Sequence, residues 1–134
     1  MSRVTVNVDG GARGNPGPAA IGVVLRNGDG SVLAEVGERI GEATNNVAEY
    51  RALLRGIELA AGHGAEELEL VGDSELVVRQ VEGRYKVKNA GMKELHEQVR
   101  QALAPFESWS IRHVGRADNA DADRLVNEAL DGER

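Results

Sequence analysis

Carboxylates fall where a fold would gather them. Asp9 closes the alternating stretch "VTVNVD", directly ahead of the glycine- and proline-rich "GGARGNPGP". Asp73 closes the apolar run "EELELVGD" and precedes Ser74, a residue suited to start a helix. Alone, each is an ordinary turn or cap residue. Together they gain meaning if their strands are parallel neighbours, because sites in open α/β sheets gather at the carboxyl ends of strands. Asp9 would then hold a metal ion, beside a loop small enough for a bulky anionic polymer to approach its backbone.

Glu49 adds to this. On a helical wheel it falls between Leu53, Gly56 and Ala60, on the sector facing the sheet, while Arg51, Arg55 and Glu58 take the solvent side. An unpaired acid there costs several kcal/mol, so it must be protonated, hydrogen-bonded or bound to a cation. The bland alternative is a first-turn position near the helix dipole, worth about 0.3 to 1 kcal/mol at a surface. Asp118, Asp121 and Asp123 crowd the start of the last helix, where acids are common. Asp123 borders the apolar sector of Ala122, Val126, Ala129 and Leu130 and is expected to aim inward, with Asp121 on the polar side.

Composition limits the partners. With no cysteine among 134 residues, any metal is held by oxygen or imidazole, and no disulfide framework exists. The net charge of -6 argues against nonspecific coating of nucleic acid, and a single Trp, Trp109, against a base-stacking platform. No apolar run approaches the roughly 20 residues of a membrane span, and the N-terminus lacks a secretory h-region. A cytoplasmic monomer of one domain, with no membrane partner, is the simplest expectation.

The elements that must position these acids follow from periodicity. Residues 3 to 9 alternate as a strand, and "AAIGVVLRN" and "SVLAEVGER" form two more around the hairpin signal "NGDG". From Asn46 to about Ala61 the pattern is helical, with Tyr50, Leu53, Leu54, Ile57 and Ala61 on one face and "GHG" as the stop. A strand ending at Asp73, a short helix capped by Ser74, a longer one over "AGMKELHEQVRQALA", a strand "SWSIRHV" and a last helix capped by Asn119 complete the chain. Three strands followed by strand–helix alternation imply an α/β fold with a mixed sheet and flanking helices.

Four blocks, "DGGARGNPGPAAIG", "TNNVAEYRALLRGI", "GDSELVVRQVEGRYKVKN" and "HVGRADNADADRL", resemble in order and spacing the signature of the type 1 ribonuclease H family. The resemblance covers nearly the whole chain. It implies the ribonuclease H-like fold over residues 1–134: a five-stranded mixed sheet, three antiparallel strands and then two parallel. It places the family's four carboxylates on Asp9, Glu49, Asp73 and Asp123. Such an oxygen-only set suits Mg²⁺, two ions per site, with Mn²⁺ as a substitute. Asp9 would bridge both ions, with Glu49 and Asp73 on one side and Asp123 on the other. The implied reaction is endonucleolytic hydrolysis of the RNA strand of an RNA/DNA hybrid, leaving 5′-phosphate and 3′-hydroxyl ends. His113 stands where the family often carries a histidine assisting proton transfer or product release, although it ends a strand beside the tight "VGRAD".

Substrate contacts are implied for Gly10, Gly11 and Asn15, for Thr44, Asn45 and Asn46, and for Lys86, Lys88 and Asn89. Small donors and acceptors of this kind test a shallow minor groove for 2′-hydroxyls. A plain helix cap also accounts for the TNN triplet, with Asn45 able to provide it. Glu75 departs from the Gln common in the family, which removes a donor and adds repulsion of phosphate. Arg84, Lys86, Lys88 and Lys93 stand where larger relatives carry a basic protrusion, here much reduced; with no hybrid-binding domain in the chain, weak and salt-sensitive binding is expected. His63 and His96 are expected in solvent. The alternatives are a catalytically silent binding module, a related-fold nuclease with another substrate, and an actin-like phosphate-binding enzyme, for which length and a "GxxxxGK[ST]" loop are lacking.

Overall fold

A computed structural model describes residues 3–133. Five strands form one sheet in the order β3-β2-β1-β4-β5, where β1 is Arg3–Ala12, β2 Gly17–Arg26, β3 Val32–Ala43, β4 Glu67–Gly72 and β5 Ser108–His113. β2 runs antiparallel to both β1 and β3, whereas β1, β4 and β5 are mutually parallel. The helices are α1 (Asn45–Gly62), α2 (Glu75–Val81), α3 (Ala90–Leu103) and α4 (Ala120–Leu130), the last entered through a 3₁₀ turn at Arg116–Asn119.

Alternation along β1 sorts its side chains between two layers. Val4, Val6 and Val8 join Tyr50, Leu53 and Ile57 of α1 and Val99 and Leu103 of α3 in the main core. Gly56 lets α1 down onto this face, since a Cβ there would stand 2.8 Å from Val6 Cγ1 and 3.0 Å from Val8 Cγ1. The opposite face, reached by Asn7 and Asp9, lies under α4, which buries Ala122, Leu125, Val126 and Ala129, the last two clustered with Ala20. Truncating Leu53 or Ile57 to Ala in the main core is worth about 2–5 kcal/mol.

Several boundaries differ from the sequence expectation. β1 does not end at Asp9 but runs on to Ala12, because Gly10, Gly11 and Ala12 pair with Ile21, Ala20 and Ala19 of β2. β3 likewise extends past Arg39 to Ala43. Ala60, not Ala61, takes the buried place on α1, and Ala61 is exposed. His96 is half-buried, not free in solvent: its Nε2 lies 3.0 Å from the Gln80 carbonyl and its ring meets that of Tyr50 edge-on. Tyr50 donates its hydroxyl to Gln80 Oε1 at 2.6 Å, and burial pushes its pKa up to about 12.

Candidate active site

The site forms where β1 and β4 part. Parallel register sets Val8 beside Gly72, so Asp9 and Asp73 follow at the same level on adjacent strands. Ser74 caps α2 by accepting from the Val77 N–H, which turns the chain away immediately after Asp73. Glu49 arrives from α1, whose cap is Thr44 Oγ1, accepting from Val47 N at 3.2 Å; Asn45 does not cap it. β1 and α1 approach backbone to backbone here: a Cβ on Gly10 would lie 2.3 Å from the Ala48 carbonyl carbon. That proximity lets Gly10 N donate to Glu49 Oε1 at 3.0 Å.

One carboxylate oxygen each from Asp9, Glu49 and Asp73 lie within 4.8 Å of one another. Asp9 is 6% and Glu49 7% exposed. Burial, opposed by a hydrogen bond with Glu49 and reinforced by the charges of Asp73 and Asp123, pushes the Asp9 pKa up to about 7. Burial first, then the charge of Asp9, holds Glu49 well above its ordinary range, with the Gly10 N–H pulling the other way. Close like charges in a dry place must be neutralised by protons or by a cation, and an all-oxygen donor set fits Mg²⁺ or Mn²⁺ rather than a softer metal.

Asp123 lines the same cleft, about 510 Å³ in volume, but stands apart from that tight triad. Its side chain is 28% exposed at the open rim, where Arg116 Nη2 lies 3.2 Å from Oδ1. Asp121 is turned away and pairs with Arg26 at 2.6 Å, and Asp118 is exposed. Asn119 stands in the cap position just before α4 without capping it; its side chain is spent on β1 instead.

Gly10, Gly11, Asn45 and Asn46 line the cleft. Asn45 is a latch: its N–H donates to Asn15 Oδ1 and its Oδ1 accepts from Ala12 N, both at 2.9 Å. Lys86 and Lys88 are exposed on the eight-residue connection between α2 and α3, outside the cleft wall, and Asn89 caps α3 by accepting from Met92 N. His113 is the last residue of β5, opposite Gly72 and also outside the cleft wall. Glu75 lies exposed, 3.9 Å from Arg79. Sequence reasoning missed Arg13, Arg116 and Asn127 in the wall. Arg116 had a signal, as the one basic residue in the acid-rich "GRADNADAD".

A sheet of three antiparallel and two parallel strands, with carboxylates at the ends of its adjoining parallel strands, defines the ribonuclease H-like class of α/β proteins. A family model described as "Reverse transcriptase-like" matches residues 7–129. Ribonuclease HI of Halobacterium salinarum is 50% identical over 129 residues, 96% of this chain and 65% of that protein. The crystal structure of that organism's RNase H1 superposes with a TM-score of 0.96 at 49% identity, covering 98% of this chain and 99% of the other. The structure of LC11-RNase H1 in complex with an RNA/DNA hybrid gives 0.92 at 44% identity, covering 97% and 98%. A bifunctional protein of Mycobacterium tuberculosis is 47% identical over 96% of this chain, which spans 36% of it. The chain belongs to the type 1 ribonuclease H family.

Proposed function

We propose that this cleft hydrolyses the RNA strand of RNA/DNA hybrids endonucleolytically, leaving 5′-phosphate and 3′-hydroxyl ends. The observation that carries the reading is the set of three carboxylate oxygens within 4.8 Å, in a cleft that Asp123 also lines. Asp9, Glu49, Asp73 and Asp123 would hold two Mg²⁺, with Mn²⁺ as a substitute. Bound there, the ions supply an activated water and positive charge for the leaving oxygen.

The chain's own residues do the rest. Gly11 carries no side chain that could bar a sugar–phosphate backbone from the acids, the nearest neighbour to an added Cβ being Val126 at 3.6 Å, while Gly10 keeps its N–H on Glu49 by leaving room for α1. The latch between Asn15 and Asn45 fixes the glycine turn against the start of α1. That leaves Asn46 on the cleft wall to test the minor groove. Lys86 and Lys88 add charge that attracts phosphate along the flank, and Thr44 and Asn89 order the two helix starts that border the path. His113 enters this scheme only as an accessory to proton transfer or product release. LC11-RNase H1, described with a hybrid bound, supports the substrate class.

Residues 1–134 are read as one domain acting as a monomer in the cytoplasm; no described helix is long and apolar enough to cross a membrane. The test is incubation of labelled RNA/DNA hybrid, double-stranded RNA and double-stranded DNA with Mg²⁺ or Mn²⁺, using wild type, Asp9→Asn and Asp73→Asn. Cleavage of the hybrid's RNA strand by wild type alone is expected. Cleavage that survives both substitutions, or a preference for duplex DNA, overturns the reading.

A further inference from the structure

Asp123 depends on α4, which buries Ala122, Leu125, Val126 and Ala129 against the sheet. Polar contacts add to that packing at its start. Arg26 Nη1 donates to Asn7 Oδ1 at 3.0 Å, Asn7 Nδ2 donates to Asn119 Oδ1 at 3.1 Å, and Asn119 Nδ2 donates to the Val8 carbonyl at 2.9 Å. The second Arg26 nitrogen holds Asp121 in the first turn of α4. Asn119 is 1% exposed, and both ends of its amide are satisfied inside the protein.

The placement of this chain of bonds is what matters. The Val8 carbonyl belongs to the peptide bond leading into Asp9, and Asn119 lies one helical turn ahead of Asp123. The β1–β4 register ends at Val8 and Gly72, so the carbonyl sits at the fork where the two strands part. Across β1–β2, Asp9 pairs with Gly22, and a Cβ on Gly22 would lie 2.2 Å from the Ala122 carbonyl oxygen. Gly22 therefore lets α4 down beside Asp9, and Asn119 pins it there. An asparagine serving as a cap would turn its oxygen to the free N–H groups of α4; this one turns its oxygen to Asn7 instead.

We propose that Asn119, backed by Asn7 and seated by Gly22, is a positioning residue that fixes Asp123 relative to Asp9, and so sets how tightly a cation is held on the Asp123 side of the cleft. The inference rests on the nuclease reading above. Asn119 touches no reacting atom; it acts through the peptide before Asp9 and the helix before Asp123. Residues that orient metal ligands in this way typically change metal affinity by about 10- to 100-fold when removed.

The test is a Mn²⁺ titration of the full chain without nucleic acid, followed by NMR. Paramagnetic broadening of amides around Asp123 and around Glu49 is read separately. Asn119→Ala is expected to need about tenfold more Mn²⁺ for the Asp123 signals, with those around Glu49 broadening as in wild type. In hybrid cleavage the same variant should lose kcat at limiting Mn²⁺, regain it in excess, and keep its KM for the hybrid. Should Asn119→Ala not fold, Asn7→Ala, which removes only the backing bond, is expected to shift the Asp123 curve the same way by a smaller factor. A variant that melts earlier yet gives wild-type Mn²⁺ curves on both sides overturns the proposal, as does a wild type with no broadening around Asp123. A wild type that binds Mn²⁺ on both sides but does not cut hybrid would instead overturn the nuclease reading and leave the positioning result standing.

Discussion

The cleft draws its acids from two unlike halves of the molecule. On the α1 side Glu49 is 7% exposed, takes a backbone N–H from Gly10, and belongs to a helix sunk in the main core. On the α4 side Asp123 sits at the rim, paired with an Arg116 whose side chain is 77% exposed, on a shorter helix whose start is tied to β1 by hydrogen bonds. The dry side is rigid and stores electrostatic cost, because like charges there cannot be screened by water. The wet side stores little: an exposed ion pair is worth about 0–1 kcal/mol, so Asp123 can change partners cheaply. Strong demand for a cation is thus built on one side, and adjustability on the other.

The largest test of that contrast is Asp9→Asn. On the proposed reading it lowers hybrid cleavage by at least about a thousandfold, the several kcal/mol of charge stabilisation that bound ions provide. Above about pH 7 the same change should raise stability in chelator, since it removes a buried charge that Asp73 and Asp123 oppose. The stability half has a definite pH window. Asp9 has its pKa raised from 3.8 to about 7 on folding, so between those values the folded chain binds a proton the unfolded chain has released. Stability from this group is full below pH 4, falls as pH rises toward 7, and is flat above. A shift of this size is worth about 4 kcal/mol. Urea unfolding in chelator across pH 4–7.5 should show the decline, millimolar Mg²⁺ should offset it at the upper end, and Asp9→Asn should make it shallower, leaving the share that buried Glu49 contributes. A wild-type slope of opposite sign in that window would remove the electrostatic cost from the dry side.

Two glycines sharpen the comparison further. Gly10 abuts α1 and Gly22 abuts α4, and an added Cβ would meet helix backbone at 2.3 and 2.2 Å respectively. The clashes are equal, but α1 is an 18-residue helix in the main core and α4 an 11-residue helix outside it. Overpacking costs about 1–3 kcal/mol and more where neighbours cannot move, so Gly10→Ala should destabilise by at least about 3 kcal/mol and Gly22→Ala by about 1–2. Gly22→Ala should instead show its effect in catalysis, by lifting Asp123. Equal losses of stability in thermal unfolding would mean that α4 is as firmly seated as α1.

The strands, α1 and the inward Glu49 were legible because period-2 and period-3.6 patterns report burial directly. Asp73 was legible as a strand end. What failed shares one cause, that the deciding contact lay far off in the chain. Gly10, Gly11 and Ala12 read as loop because glycine marks turns, yet Gly10 is in β1 and small because Ala48 of α1 crosses it. Asn119 reads as a cap, a local rule, but its partners are Asn7 and Val8, more than a hundred residues away. His96 reads as surface on its own helix, and only Tyr50 and Gln80, on two others, enclose it. The helical wheel and the resemblance to the family both picked out Asp123 but not its looser hold at the rim beside Arg116.

The smallest expected effect concerns His113. General acid–base catalysis by a positioned side chain contributes about 10²- to 10⁴-fold, and a histidine delivering that to the reaction must come within hydrogen-bond reach of it. His113 is instead fixed by β5, paired with Gly72, with the next residue's N–H donated to the Gly72 carbonyl at 3.0 Å. Strand pairing on that flank gives the ring no hinge of its own, and the chain turns at once into the 3₁₀ segment leading to α4. His113→Ala should therefore keep kcat within about threefold of wild type, well below a general acid–base contribution. The shape of its pH–rate profile should not change. A hundredfold loss with a missing limb in that profile would mean that β5 contributes to the chemistry as a third side, and that the contrast between a dry α1 half and a wet α4 half leaves out a proton carrier.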